Sequence, residues 1–409
     1  MASGSRDIKK TSLNGVHHSL GGHLVDFSGW EMPLWYKTGA VREHLAVVNS
    51  AGLFDTGHMS VIMARGPGIM EFLNYALTRD LRALKPGRAG YSVILDKNGF
   101  SIDDAIVYPL AEDRYGLVLN AGMAGPVIEH LKSMPGANNL IFSDLTGQLA
   151  KIDIQGPASF RIFRKFVSWP ERVFAGFPYF SFKGDFDLRR SEFFLADHTP
   201  ALLSRSGYTG ELGFEIFVAE DKAGKLWNDL LEAGAPEGLT PCGLAARDSL
   251  RAGAVLPLSH QDIGPWPYIN NPWPWALPFD QNGRFSKDFL GRMALDPLKA
   301  EHTLPFAGFD PRKVDRHEAV VLFDGSPIGK VLTAVADMAI GRFDGNILSL
   351  NSPEKPLDWM PKGLVCGFVK VDRVLPEFTE IILKDTRREL KAEIRSDIRP
   401  CRSARWPLN

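Results

Sequence analysis

The stretch Arg205-Ser206-Gly207-Tyr208-Thr209-Gly210-Glu211-Leu212-Gly213-Phe214-Glu215 packs three glycines, two aromatics and two carboxylates into eleven residues. The runs on either side read as strands, so a tight hairpin is predicted here. Glycine at 207, 210 and 213 lets the backbone turn sharply or approach a flat ligand closely. Tyr208 and Phe214 offer ring faces for stacking. Glu211 and Glu215 offer acceptors for a pair of adjacent N–H groups, such as the edge of a pterin or guanine. A plain glycine-rich hairpin is the competing reading, and the rest of the chain bears on the choice.

A chain of 409 residues holds two or three domains or one large one. Its 44% hydrophobic and 23% charged residues are ordinary for a globular protein. With 47 basic against 48 acidic side chains, bulk electrostatics predict no nucleic-acid partner. No run approaches the ~20 apolar residues of a spanning helix, so no membrane partner is expected either. The first ten residues show no apolar secretory core. Cys242, Cys366 and Cys401 are scattered, with no CxxC spacing. That pattern predicts no disulfide framework, no metal site and a cytoplasmic location.

Working outward, helices are predicted at 39–50, 68–77, 122–133, from 158, at 221–233 and at 243–252. Strands are predicted at 59–64, 90–95, 101–110, 115–120 and 149–154, with Asp96-Lys97-Asn98-Gly99 as a hairpin turn. Strand, Gly-Pro, helix occurs twice, at Gly66-Pro67 and Gly156-Pro157, a weak internal repeat whose two halves are expected to pair in one sheet. Prolines at 265, 267, 272, 274 and 278, interleaved with Trp266, Trp273 and Trp275, predict a rigid aromatic loop, read as a ligand wall or a packed surface loop. Beyond about 300 the texture becomes all-β, with runs at 305–309, 319–322, 328–335, 346–349, 364–371 and 380–384. These predict a barrel and a division into 1–299 and 300–409.

Eight motifs in order resemble the glycine-cleavage T-protein family, the tetrahydrofolate-dependent aminomethyltransferases and related folate-dependent demethylases. They are Asp26-Phe27-Ser28-Gly29-Trp30-Glu31-Met32-Pro33-Leu34-Trp35-Tyr36, Leu53-Phe54-Asp55-Thr56-Gly57-His58-Met59, Ile102-Asp103-Asp104-Ala105-Ile106-Val107-Tyr108, Leu117-Val118-Leu119-Asn120, Gln155-Gly156-Pro157, the Tyr208 stretch, the run from Pro241-Cys242-Gly243 to Arg251, and Asp288-Phe289-Leu290-Gly291. They cover nearly the whole chain. The resemblance implies an α+β fold: a three-lobed ring of ferredoxin-like α/β units with a C-terminal β-barrel, holding tetrahydrofolate at its centre.

Carried over by position, the resemblance makes Asp104 the active-site carboxylate. Tyr91 and Tyr108 line the pterin site, Asn120 hydrogen-bonds near it, and Met59 gives an apolar contact. Tyr208 packs on the folate, Glu215 grips the pterin amino edge, and Arg247 lies beside the pterin or its linker. The residue types suit the chemistry: a carboxylate matches an N–H edge, and Arg suits planar or anionic partners. At Asp104 it either stabilises developing positive charge or moves a proton. By themselves, Asp103 and Asp104 also read as turn residues after a hairpin, and a lone His58 as structural. Asp248 reads equally as a partner for Arg251.

Departures from the family pattern cluster near the presumed donor. Ser259 and His260 stand where a tyrosine and a glycine are usual, and the loop at 270–277 loses an acidic residue and glycines while gaining Trp273 and Trp275. The expectation drawn from this is a demethylase moving a methyl group from a small methylated substrate to tetrahydrofolate, with Trp30, His58, His260, Trp273 and Trp275 as substrate-binding residues. The alternative is the aminomethyltransferase of the glycine cleavage system, which has a lipoyl carrier protein as partner. Further readings are a folate-binding protein without catalysis, and a lobe serving a separate flavin enzyme.

Overall fold

The computed structural model describes residues 8–298 and 301–408. The boundary expected between 299 and 300 therefore lies outside the described residues. The two flanking regions differ as the sequence predicts: two α/β lobes come first and a closed β-barrel follows.

The first lobe is a five-stranded antiparallel sheet in the order Gly90–Leu95, Ser101–Ala111, Arg114–Leu119, Ser60–Arg65, Ile141–Asp144. Helices Ile69–Ala76 and Ala124–Ser133 cover one face, burying Leu73, Val127 and Leu131 against Ile62, Ile94, Val107 and Leu117. The second lobe is a six-stranded sheet ordered Phe182–Lys183, Leu202–Ser204, Gly213–Ala219, Leu149–Gln155, Ala51–Asp55, Leu239–Pro241. Helix Glu220–Gly234 sets Trp227 and Leu230 into its core with Ile152, Ile154, Phe214 and Ile216.

The two Gly-Pro halves do not pair in one sheet. Each starts its own, and the early strand Ala51–Asp55, buried along its whole length, inserts into the second sheet beside Leu149–Gln155. The repeat itself is real in the backbone. Gly66 and Gly156 sit at φ +137° and +127°, and a Cβ would lie 2.8 Å from Asn139 O in one and 2.3 Å from Ser50 O in the other. Only glycine turns the chain there. The helix expected from 158 is brief, Ser159–Phe163 followed by a 3₁₀ turn.

The uncovered faces of the two sheets meet. Val61, Met63, Tyr108, Val118, Phe182, Phe186, Leu202 and Phe217 form the seam. Strand alternation explains its make-up: Ile62 and Phe214 point to the helices, while their neighbours Val61 and Glu215 point the other way. Where the seam opens, these same faces become cavity wall.

The barrel strands run His302–Gly308, Leu364–Val371, Ser326–Asp337, Val320–Phe323, Glu380–Lys384, Glu389–Ile394 and back to the first. Two details differ from the expectation. Asn346–Ser349 pairs with Ile340–Phe343 in a separate hairpin, and Glu389–Ile394, whose apolar residues alternate with charges, closes the barrel. Helix Leu244–Gly253 packs on the barrel and on the Trp30–Trp35 strand. A buried ion cluster ties the lobes: Arg399 reaches Asp337 (2.6 Å) and Glu211 (3.2 Å), and Asp337 also accepts from His44 Nε2 (2.8 Å).

Candidate functional site

The two sheets, the barrel and the C-terminal segment enclose a cavity of about 1920 Å³. A single small-ligand pocket usually holds 300–1,000 Å³, so this one has room for a heterocycle and a second reactant.

The inner wall comes from the second sheet. In Leu149–Gln155, Ala150, Ile152 and Ile154 face the core, which turns Lys151 and Asp153 to the opposite face. Lys151 Nζ donates to Asp153 Oδ1 (2.6 Å), Glu215 Oε1 (2.5 Å) and Thr56 Oγ1 (3.1 Å). Glu215 is directly opposite Asp153 in the ladder, and its other oxygen accepts from Ser206 Oγ (2.5 Å). Arg247, from helix Leu244–Gly253, donates to Asp153 Oδ2 (3.1 Å) and stacks its guanidinium 5.2 Å from the Tyr208 ring. Tyr208 is pinned by its hydroxyl, which donates to Pro257 O (2.7 Å). Glu215, Arg247 and Tyr208 thus line the cavity together. The flanking glycines serve a close approach: a Cβ on Gly207 or Gly213 would fall 2.0 or 2.4 Å from the Gln155 amide group.

The facing wall comes from the first sheet. Asp104 is half-buried and open to the cavity. Tyr91 Oη donates to Asp104 Oδ2 (2.8 Å), and Asn120 Nδ2 donates to both Asp104 Oδ1 (2.5 Å) and Asp103 Oδ1 (2.7 Å). Asn120, just past the end of strand Arg114–Leu119, is reached by both adjacent aspartates. Burial, and then the charge of Asp103, push the Asp104 carboxyl up to about 6. Met59 and His58 line the same cavity. His58 is 2% exposed, its ring is driven by burial down to about 4, and its Nδ1 has no hydrogen-bond partner in the protein. A buried, neutral imidazole with an open nitrogen facing a cavity is suited to a ligand hydrogen bond.

Several expected residues sit elsewhere. Tyr108 is buried in the seam between the sheets, ringed by Phe182 and Phe186 (both 5.2 Å), because its strand has by then passed from cavity to seam. Its hydroxyl donates to Ser204 Oγ (3.3 Å), which bonds Ser206 Oγ (2.6 Å), so serine hydroxyls stand between it and Glu215. Trp30 is buried beneath Lys9, outside the cavity lining. Phe214 lies in the second-lobe core, and Glu211 is spent on Arg399 and Ser403. Asp248 accepts from Arg251 (2.7 Å), as its alternative reading supposed.

His260, Trp273 and Trp275 do line the cavity. The tryptophans are used by packing: Trp273 stands edge-on to Tyr91 (4.8 Å), tilts against Trp275 (5.1 Å) and donates Nε1–H to Val255 O (3.0 Å). Lys151, Asp153, Ser206 and Asp103 were missed as site residues. For the strand residues, the alternation of Ala150-Lys151-Ile152-Asp153-Ile154-Gln155 was the available signal, since it sets three polar side chains on one face of a strand buried on both.

A family profile described as the GCVT N-terminal domain matches residues 13–266. The aminomethyltransferase of Streptomyces avermitilis is 38% identical over 350 residues, 82% of this chain and 87% of that one. One from Clostridium botulinum is 34% identical over 349 residues, 83% and 89% of the two chains. Among solved structures, the glycine cleavage system aminomethyltransferase T from Bartonella henselae aligns with a TM-score of 0.75 and 28% identity, covering 95% of this chain and 97% of that one. The fold and cavity define a three-lobed enzyme of one-carbon transfer. The chain belongs to the glycine-cleavage T-protein family.

These matches overturn the expectation of a demethylase with a small methylated donor. Relatives spanning more than four fifths of the chain are aminomethyltransferases. The tryptophan rings of the loop that prompted the expectation pack on Tyr91 and on each other at the cavity edge.

Proposed function

We propose that this protein is a tetrahydrofolate-dependent aminomethyltransferase that receives its one-carbon unit from a lipoyl carrier protein. The observation that carries the reading is the pairing of similarity to aminomethyltransferases over 82% of the chain with one cavity walled by Asp104 on one side and Glu215 and Arg247 on the other. Tetrahydrofolate, when bound, supplies the nitrogen that accepts the carbon. The residues present fit it: Glu215 offers acceptors to an N–H edge, Tyr208 and Arg247 a flat face, and the open Nδ1 of His58 a further hydrogen bond.

Glu215 is held rigid by Lys151 and Ser206, so little side-chain entropy is lost on binding. Asp104, fixed by Tyr91 and Asn120, is aimed into the cavity. As a carboxylate it stabilises positive charge on a nitrogen; protonated, it has a proton to give. A carboxyl raised to about 6 exchanges between these forms near neutrality. In turnover with an aminomethyl-loaded lipoyl carrier and tetrahydrofolate, the wild type is expected to release ammonia and Asp104→Asn to lose at least 100-fold in kcat. An Asp104→Asn variant with undiminished kcat would remove Asp104 from the chemistry.

A further inference from the structure

The loop at 256–263 presents a feature the transfer reading leaves unused. His260 has φ +64°, a left-handed conformation that costs a non-glycine residue about 1 kcal/mol or more. The turn is held from behind: the amides of Gln261, Asp262 and Ile263 all donate to Leu258 O, and buried Asp262 accepts from Leu258 N (2.9 Å) and is paired with Arg251. The result is an imidazole, 48% exposed, whose Nε2 lies 3.3 Å from the buried Asp103 Oδ1 and which lines the cavity. Ser259 Oγ donates to the same oxygen (3.3 Å), and Asn120 donates its backbone N–H to Asp103 Oδ2 (3.1 Å).

Two adjacent carboxylates sharing one asparagine repel each other, and one tends to stay protonated unless a cation stands by. The groups facing Asp104 are Tyr91, Tyr268 and Tyr208, which are neutral phenols, then Asn120, Asp103 and His260. His260 is the cation of that set. Lys151 and Arg247 are engaged with Asp153 on the opposite wall. We propose that His260 is a positioning residue for transfer, supplying the counter-charge that lets the Asp103–Asp104 pair ionise and connecting the pair to the cavity solvent. The proposal deepens the aminomethyltransferase reading and rests on Asp104 being its working carboxylate. Asp103 beside it raises the imidazole above the usual histidine range, which keeps the charge in place toward neutral pH.

The test is a ¹³C NMR titration of the aspartate carboxyls in ligand-free protein, with Asp104 assigned through Asp104→Asn. In His260→Gln the Asp104 midpoint is expected to rise by about 0.5–1 pH unit, and in His260→Lys to return to the wild-type value or below. The acid limb of kcat should move with it while the KM for tetrahydrofolate stays within about twofold. His260→Gly, relaxed at positive φ, should melt no lower than wild type yet show the same raised midpoint, separating charge from structure. An unchanged midpoint in His260→Gln and His260→Gly overturns the proposal. A wild type with no turnover would overturn the transfer reading instead and leave the titration result standing.

Discussion

Asp104→Asn should separate stability from function, and the size of the separation follows from the site. A carboxyl displaced from about 4 in the unfolded chain to about 6 in the native state costs up to about 3 kcal/mol once ionised. Asp104 is half open to the cavity, so screening reduces this to about 1–2 kcal/mol. The sign is fixed by proton counting. Between pH 4 and 6 the native state holds the proton more tightly than the unfolded state, so wild-type stability falls as pH rises through that window and levels off above it. Asparagine does not titrate. The melting temperature of Asp104→Asn minus that of wild type is therefore expected to grow by about 1–3 °C between pH 4 and pH 7.5, while activity is lost at every pH. Scanning calorimetry on both proteins in matched buffers reads the difference. A difference that stays flat, or that shrinks with pH, would show that Asp104 carries no raised carboxyl and would refute the account of its environment.

Other outcomes follow from the same geometry. Glu215→Gln should weaken binding of reduced folate by about 10–100-fold in calorimetry, because a neutral amide cannot accept an N–H pair with both oxygens; an unchanged Kd would move the ligand away from this wall. Lys151→Met strands two buried carboxylates, of which Asp153 keeps Arg247 as partner, so denaturant unfolding should show a loss of about 3 kcal/mol. A loss under about 1 kcal/mol would mean that the ammonium is not buried. Gly156→Ala should cost about 3 kcal/mol or more in the same assay, since its Cβ meets Ser50 O at 2.3 Å, whereas Gly147→Ala, at φ +77° with nothing within 4 Å, should cost only about 1 kcal/mol. Equal costs at the two sites would remove the steric argument for the Gly-Pro turn.

Periodicity made most of the architecture legible before any coordinates. The 90–95 and 101–111 strands, the helices after each Gly-Pro and the all-β final third all follow from local pattern. What local pattern does not encode is which sheet a strand joins. The apolar run 51–54 of strand Ala51–Asp55 reads alike in either lobe, and its place is set by packing on both faces in the second. Of the candidate site residues, Asp104, Glu215 and Arg247 come together on one cavity as their polar types suggested. Residue type alone failed where position along a strand changed the surroundings. Asp104 and Tyr108 share a face of one strand, yet the first opens on the cavity and the second is sealed between sheets. The tryptophan loop misled for a related reason: aromatic composition does not say what the rings pack on, and the structure sets Trp273 and Trp275 edge-on to Tyr91.

The most direct measurement is single-turnover stoichiometry with aminomethyl-loaded lipoyl carrier and tetrahydrofolate, following ammonia and folate products together. Transfer across the cavity predicts one methylene-tetrahydrofolate for each ammonia, with the signal lost in Asp104→Asn and requiring far more folate in Glu215→Gln. Ammonia release that ignores both substitutions, or a methyl-folate product in its place, would contradict it.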